Sequence, residues 1–232
     1  MDGGVTGSLK PFNIALDGPA GAGKSTVARM VAGALGFIYI DTGAMYRAVT
    51  WKTLRRGVSP EQADEVTAIA GAMDIELLPG AQGQRVRVDG EDVTEAIRMP
   101  EINRNVSAVS SIAAVREILV GLQKELAAGK GVVMDGRDIG TRVLPNAEVK
   151  VFLTASVEER ARRRFGELSN PDITLAQLAE EIAVRDRMDS EREASPLARA
   201  DDAVLIDSTG MSLQEVVDAV LDLCKAKRGG EE

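Results

Sequence analysis

Eight residues restrict this chain more than any others: Gly18-Pro19-Ala20-Gly21-Ala22-Gly23-Lys24-Ser25, which follow the pattern G-x-x-x-x-G-K-[ST]. They come directly after a short apolar run, Phe12 to Asp17. Apolar residues at helical spacing follow (Val27, Met30, Val31, Ala34, Leu35), and Gly36 ends that stretch before a second apolar run, Phe37 to Ile40. Strand, glycine-rich turn, helix and strand make a βαβ unit, whose crossover calls for a parallel sheet buried on both faces. In that setting the glycines let the backbone wrap a polyphosphate with its N–H groups inward, and the helix N-terminus adds partial positive charge. The segment Gly18, Pro19, Ala20, Gly21, Ala22, Gly23, Lys24, Ser25 and Thr26 is expected to hold a nucleoside triphosphate, Lys24 bridging phosphates and Ser25 holding Mg²⁺.

Three more apolar runs, Gly131 to Asp135, Val149 to Leu153 and Ala203 to Asp207, each lead into polar turns. The expected fold is α/β, a five-stranded parallel sheet with helices on both faces. Besides the helix after the loop, helices are expected over Ala44 to Leu54, Ala114 to Ala127, Val157 to Arg164, Leu175 to Arg187 and Leu213 to Lys225. Two segments break the rhythm. Asp74 to Ile97 alternates with period two in Ile75-Glu76-Leu77 and Gln84-Arg85-Val86-Arg87-Val88, punctuated by Gly80, Gly83 and Asp89-Gly90, and predicts a small antiparallel sheet. Arg160 to Arg192 is dense in Arg, Asp and Glu around a turn at Ser169-Asn170-Pro171-Asp172, which predicts a mobile helical hairpin, a short lid over a site. The chain then divides into a discontinuous core (residues 11–56, 111–159 and 193–226), an insertion (57–110) and a lid (160–192).

Composition narrows the chemistry. The 232 residues include no histidine and one cysteine, which removes Ser-His and Cys-His catalysis, histidine metal sites, zinc clusters and disulfide frameworks. Cys224 falls on an amphipathic pattern and reads as a small packed hydrophobe. A net charge of -8 argues against nucleic acid as a partner. Yet 20 of the 28 basic residues are Arg, the side chain suited to bidentate contact with phosphate. With no stretch of about 18 apolar residues and a Gly-rich, polar start from Met1 to Pro11, the expectation is a cytoplasmic chain with a short flexible N-terminus and no membrane partner. Among phosphate-loop proteins, a GTPase needs a late Asn-Lys-x-Asp, which is absent. A small kinase needs a second phosphate site and a lid that excludes water, and Arg47, Arg116, Arg137 and the Arg160 to Arg192 segment offer both.

With Asp41-Thr42-Gly43-Ala44-Met45-Tyr46-Arg47 and Asp135-Gly136-Arg137-Asp138-Ile139-Gly140-Thr141 added to the phosphate loop, the chain resembles the bacterial cytidylate kinases. The likeness extends through Val115-Arg116-Glu117, Arg185-Asp186-Arg187-Met188-Asp189-Ser190-Glu191-Arg192, Ser195-Pro196-Leu197 and Asp207-Ser208-Thr209. The resemblance implies phosphorylation of CMP and dCMP by ATP with Mg²⁺, in a cytosolic monomer. It implies a CMP site of Thr42, Arg47, Ser107, Arg116, Arg137, Asp138, Asp189 and Arg192, with Lys24, Arg137, Asp138 and Arg192 catalytic and with Arg160 and Arg164 reaching ATP from the lid. The Asp74 to Ile97 segment then corresponds to that family's small sheet in the monophosphate-binding part.

The residues themselves reach less far. Arg47 stands on the first turns of a helix at the carboxyl end of the second strand, where open α/β sheets bind ligands. Arg116 lies on an otherwise apolar helix and either snorkels or meets a ligand. Asp135 ends its strand and either supports magnesium beside Ser25 or caps the next turn. Arg160 and Arg164 share one helix face with Arg163 beside it, so only one or two of them can face nucleotide. Two readings compete with a CMP kinase: a kinase for another small acceptor such as UMP, AMP or shikimate, and a nucleotide-binding regulatory module that hydrolyses slowly.

Overall fold

The computed structural model describes residues 11–80, 83–167 and 173–229; the segment before Pro11 and the expected turn at Ser169 to Asp172 lie outside them. In chain order the elements are β1 (Asn13–Asp17), α1 (Lys24–Leu35), β2 (Ile38–Asp41), α2 (Thr42–Arg55), α3 (Ala63–Ala72), β3 (Ile75–Leu78), β4 (Arg85–Val88) and β5 (Glu91–Asp92). A single 3-10 turn, Ala96–Arg98, leads into α4 (Pro100–Ser111), α5 (Ala113–Ala127) and β6 (Val132–Gly136). A π-helical turn, Ile139–Val143, precedes β7 (Val149–Thr154), α6 (Val157–Gly166), α7 (Leu175–Glu191), β8 (Val204–Asp207) and α8 (Leu213–Gly229).

The five apolar runs form one sheet in the order β2-β6-β1-β7-β8, every pairing parallel. Alternate residues enter different cores, as a two-period strand requires. Ile14, Leu16 and Val133 pack on one face against Val27 and Val31 of α1 and Val216, Val220 and Cys224 of α8. Burial there pushes the Cys224 thiol up to about 11, so it behaves as a hydrophobe. Ala15, Val132 and Met134 pack on the other face with Val120 and Ala127 of α5 and with Ile139 and Val143 of the π-turn. The chain leaves β1 for β2 on one side and reaches β7 on the other, so the switch in direction lies at the carboxyl ends of β1 and β6. Register brings three acids to that edge: Asp41 lies opposite Asp135, and Asp17 opposite Gly136.

The expected antiparallel sheet is present as β3-β4-β5, and Asp89-Gly90 turns it with φ of 50° and 81°, the left-handed pair that a tight hairpin demands. Val86, Val88, Val93 and Ile97 cover Ala44 and Ala48 of α2. Gln84 fastens this small sheet to the free edge of β2: its side chain donates to the Tyr39 carbonyl at 2.9 Å and accepts from the Asp41 amide at 3.0 Å. Two helices add to those expected. In α3, Val66 and Ala70 join Val115 and Leu119 of α5 in one cluster, together with Val106 and Val109 of α4. Pro100 opens α4 at a position where its missing N–H has no helical partner to lose. Among the described residues no single helix is long and apolar enough to cross a membrane.

The helices α6 and α7 hold a small core of their own, Ala161, Leu178 and Ile182, with Val157 and Phe165 packed on it. Thr174 and Gln177 form a reciprocal capping box that starts α7.

Candidate active site

The phosphate loop turns back on itself at the end of β1. Gly18 has φ of 149°, and a Cβ there would lie 1.9 Å from the Leu153 carbonyl oxygen of β7, so only glycine lets the two backbones approach. Gly23, at φ 86°, opens α1. Lys24 is 5% exposed and donates to the Pro19 carbonyl at 2.7 Å, which folds its stem over the loop. Burial pushes its ammonium down to about 7, Arg137 adds repulsion, and Asp135 and Asp17 oppose both.

Ser25 Oγ donates to Asp135 Oδ2 at 2.9 Å, and Tyr39 OH donates to Asp135 Oδ1 at 2.9 Å. Burial, then the neighbouring Asp41, pushes the Asp135 carboxyl up to about 6, against Lys24 and the two hydroxyls. A hydroxyl and a carboxylate side by side at a phosphate loop are oxygen donors that could hold Mg²⁺, an ion usually bound by one or two carboxylates together with phosphate and water. Among the described residues no group of three or more acidic, His or Cys side chains could hold a metal ion.

These groups open into a cavity of about 210 Å³ whose lining includes seven cationic side chains (Lys24, Arg47, Arg116, Arg137, Arg164, Arg185, Arg192) and four carboxylates (Asp41, Asp135, Asp138, Asp189). In an acidic chain, cations gather here. The carboxylates aim them. Asp41 caps α2 through the Ala44 amide at 2.9 Å with one oxygen and takes Arg47 Nη2 at 2.8 Å with the other. Asp189 takes Arg137 Nε at 2.9 Å, and although burial raises its carboxyl, Arg137 and Arg185 hold it below the usual range. Burial and the neighbouring Arg137 push Arg185 down to about 10. Arg192 ends α7 and donates from Nε to the Ser195 carbonyl at 2.6 Å. Burial, then Arg116, lowers its guanidinium.

Arg116 and Asp138 form the most enclosed pair. Nη2 meets Oδ2 at 2.5 Å, Nη1 donates to the Ser110 carbonyl at 3.1 Å, and the guanidinium carbon sits 5.1 Å over the Tyr46 ring. The side chains are 4% and 5% exposed, so removing either partner leaves a buried charge unpaired, a cost of about 3–5 kcal/mol. Burial pushes the Tyr46 phenol up to about 12. Tyr46, Arg47, Arg116, Arg185 and Arg192 each keep a buried polar atom without a hydrogen-bond partner, and all five line this cavity. Unsatisfied buried donors are rare elsewhere in folded proteins, and their concentration marks a site built to take up acceptors.

Of the residues expected at the loop, Ala20, Gly21, Lys24 and Ser25 line the cavity, while Gly18, Pro19, Ala22, Gly23 and Thr26 shape its turn. Thr42, Arg47, Arg116, Arg137, Asp138, Asp189 and Arg192 line it too, Thr42 with its hydroxyl donated to the Asp135 carbonyl at 2.7 Å. Ser107 is buried one turn before Ser110, and Ser110 is the serine that reaches the lining. Arg164 faces the cavity. Arg160, also expected to reach ATP, is not in the lining, and its guanidinium donates to protein: Nε to the Ala155 carbonyl at 2.9 Å, Nη1 to the Ala20 carbonyl at 2.9 Å and Nη2 to Asp186 at 2.6 Å. It grips the loop from behind, because a buried guanidinium must satisfy its fork of donors. Arg163 binds Glu159 and Ser208, tying α6 to the end of β8.

Asp41, Tyr46, Asn103, Ser110 and Arg185 also line the cavity, beyond the residues expected there. Arg185 was within reach of sequence reasoning, since it precedes Asp189 by four residues and Arg192 by seven, one face of one helix. A larger cavity of about 380 Å³ shares Arg116 but is otherwise lined by residues such as Glu117, Val120, Arg142 and Pro196, and it contains no part of the loop.

The fold has solved counterparts. A shikimate kinase from Bacteroides thetaiotaomicron superposes with a TM-score of 0.50 at 16% identity, covering 92% of this chain and 98% of its own. An uncharacterized protein from Eubacterium ventriosum gives 0.54 at 12% identity over 94% and 99%. These likenesses concern the fold alone. Sequence comparison is closer: cytidylate kinases from Desulforamulus reducens (58% identical, 90% of this chain and 94% of theirs), Caldicellulosiruptor bescii (54%, 93% and 96%) and Bacillus subtilis (53%, 94% and 98%) align nearly end to end. The cytidylate kinase family model matches residues 14–226, a span that includes the phosphate loop, the small antiparallel sheet, α6, α7 and every residue lining the cavity, so the chain belongs to the cytidylate kinase family.

Proposed function

We propose that this cavity phosphorylates CMP and dCMP with ATP and that the Arg116–Asp138 pair reads the cytosine. Family membership makes the chain an ATP-dependent kinase of this kind, and the charges in the cavity suggest how its parts are divided. The loop amides and Lys24 take the ATP phosphates. Arg47, Arg137 and Arg192 take the acceptor phosphate, whose roughly two negative charges one Arg would leave underneutralised. Arg164 and Arg185, from α6 and α7, line the same cavity and would meet the charge that spreads over the transferred phosphoryl group. Ser25 and Asp135 would hold Mg²⁺, which supplies charge neutralisation at the phosphates. The acceptor phosphate oxygen attacks directly, so no covalent intermediate on the protein is expected. Thr42 and residues 57–110 belong to the monophosphate side in this reading, and 160–192 to the lid. A monomer acting on free nucleotides in the cytoplasm, without nucleic acid or membrane, fits the charge of -8.

The observation that carries the base assignment is the buried pair itself. Cytosine offers a donor amine beside an acceptor ring nitrogen, whereas uracil offers an acceptor oxygen beside a ring N–H. A carboxylate next to a guanidinium presents an acceptor next to a donor, the complement of cytosine. An unpaired polar contact costs about 1–3 kcal/mol, so CMP should exceed UMP in kcat/KM by at least about fivefold. Asp138→Asn keeps the shape and brings in a donor. Kinase assays of both proteins with CMP, dCMP, UMP, AMP and shikimate should show the CMP over UMP ratio narrowing, chiefly through loss of CMP. An unchanged ratio would mean that another group reads the base.

A further inference from the structure

Asp17 closes β1, immediately before the loop, and is not part of the cavity lining. It is 4% exposed and, among the described residues, no cation lies within hydrogen-bonding distance of it. Its partners are two backbone amides: Ile139 N–H to Oδ1 at 2.8 Å and Gly140 N–H to Oδ2 at 2.7 Å. Burial pushes the carboxyl up to about 6 although both amides pull it down. A buried carboxylate with only backbone partners is an expensive way to end a strand, and a well-packed apolar residue would serve stability as well or better.

The position of the two amides suggests why the carboxylate is there. They open the π-helical turn Ile139–Val143, where helix-type bonding leaves N–H groups without partners, and the residue before them is Asp138. Asp138 has φ of -142° and ψ of 26°, outside the common wells, and its own side chain does not cap the turn. Asp17 caps it from 122 residues away in sequence. That leaves the Asp138 carboxylate free to face Arg116. The fit is close: a Cβ on Gly140 would come within 3.3 Å of Asp17 Oδ2 and of the Lys150 side chain.

We propose that Asp17 is a positioning residue for base recognition, its carboxylate pinning the Ile139 and Gly140 amides so that Asp138 meets Arg116 in the geometry that reads the base. Asp17 is bonded to the Lys24 loop by a single peptide unit through Gly18, so one side chain links the phosphate-binding turn to the base-reading pair. The inference rests on the assignment of Arg116–Asp138 to cytosine.

Asp17→Asn is the same size but can offer only one acceptor oxygen, which sets an amide donor against a backbone donor. With ATP saturating, kcat/KM for CMP should fall about ten- to hundredfold and the CMP over UMP ratio should narrow, while KM for ATP stays within about threefold. A merely structural role would lower the active fraction for every substrate alike and leave the ratio unmoved. Gly140→Ala, which crowds the carboxylate without touching its charge, should shift the ratio in the same direction and serves if Asp17→Asn does not fold. In the Asp138→Asn background, adding Asp17→Asn should cost less than about threefold, since its effect passes through Asp138. The proposal is overturned if the ratio holds in both variants, if KM for ATP rises as much as KM for CMP, or if the two substitutions multiply. Should Asp138→Asn by itself leave the ratio unchanged, the cytosine assignment has failed, which is a different result from a silent Asp17.

Discussion

The two ends of the cavity are built in opposite ways. At the phosphate loop the parts are consecutive, and Lys24 finds its hydrogen-bond acceptor at Pro19, five residues back. At the other end the enclosed pairs join distant parts of the chain. Arg116 and Asp138 are 22 residues apart, and Arg137 and Asp189 are 52 apart. The first kind of site forms as soon as one strand and one helix pack. The second exists only after α2, α4, α5, β6 and α7 have converged, and it is held by ion pairs whose loss strands a buried charge. Substitutions at the loop should therefore damage chemistry alone, and substitutions at the far end should disturb binding and neighbouring pairs together.

Lys24→Met gives the loop side its severest trial. The side chain touches the loop backbone and the cavity, and little else depends on it. Turnover should fall by roughly 10² to 10³, the usual loss for one preorganised charge donor, while the melting temperature stays within a few degrees. A variant keeping more than about a third of wild-type turnover would remove Lys24 from the mechanism. A variant that unfolds would break the comparison from the other direction, showing that the loop also supports the core.

Arg47→Ala examines the acceptor end. Charge-assisted contacts to phosphate contribute about 1.5–3 kcal/mol, so kcat/KM for CMP should drop about ten- to hundredfold with ATP affinity little changed. Asp41 would lose its partner at 2.8 Å but keep its cap on the Ala44 amide, so α2 should still form. Calorimetric binding of each nucleotide alone separates the outcomes: if ATP weakens as much as CMP, Arg47 does not belong to the acceptor.

The same contrast governs what could be read before any coordinates. All five parallel strands fall within about two residues of their apolar runs, and the loop sits where its glycines require, because period-two burial and turn chemistry act over a few residues. The helix α4 was not expected: Ile102, Val106 and Val109 recur at helical spacing, but the buried side also carries Ser107 and Ser110, which blurs the apolar stripe. Tyr46, Asn103 and Ser110 carry no such signal. They line the cavity because of where α2 and α4 cross, and Asp17 looks like an ordinary strand end until Ile139 and Gly140 arrive against it. Arg160 shows the reverse case: its composition and spacing suit a nucleotide contact, and only its three protein partners reveal a brace for the loop.

Acidity offers the smallest effect and the sharpest separation of binding from stability. Burial holds the Lys24 ammonium at about 7, well below the 10.5 of an exposed lysine. Between those values the unfolded chain keeps a proton that the folded chain has lost, so this group makes the protein more stable as pH rises from about 7. Polyphosphate, in contrast, favours the protonated lysine, so ATP affinity of the free protein should weaken over the same interval. The same proton sets both directions: as pH rises through the folded-state midpoint the dissociation constant for ATP should rise while the unfolding free energy increases. CMP binding lies away from Lys24 and should scarcely respond. Subtracting the Lys24→Met profile from the wild type isolates the effect from the titration of ATP itself. Parallel profiles for the two proteins would mean that Lys24 keeps its proton throughout, and the loop would then lack the pH dependence assigned to it.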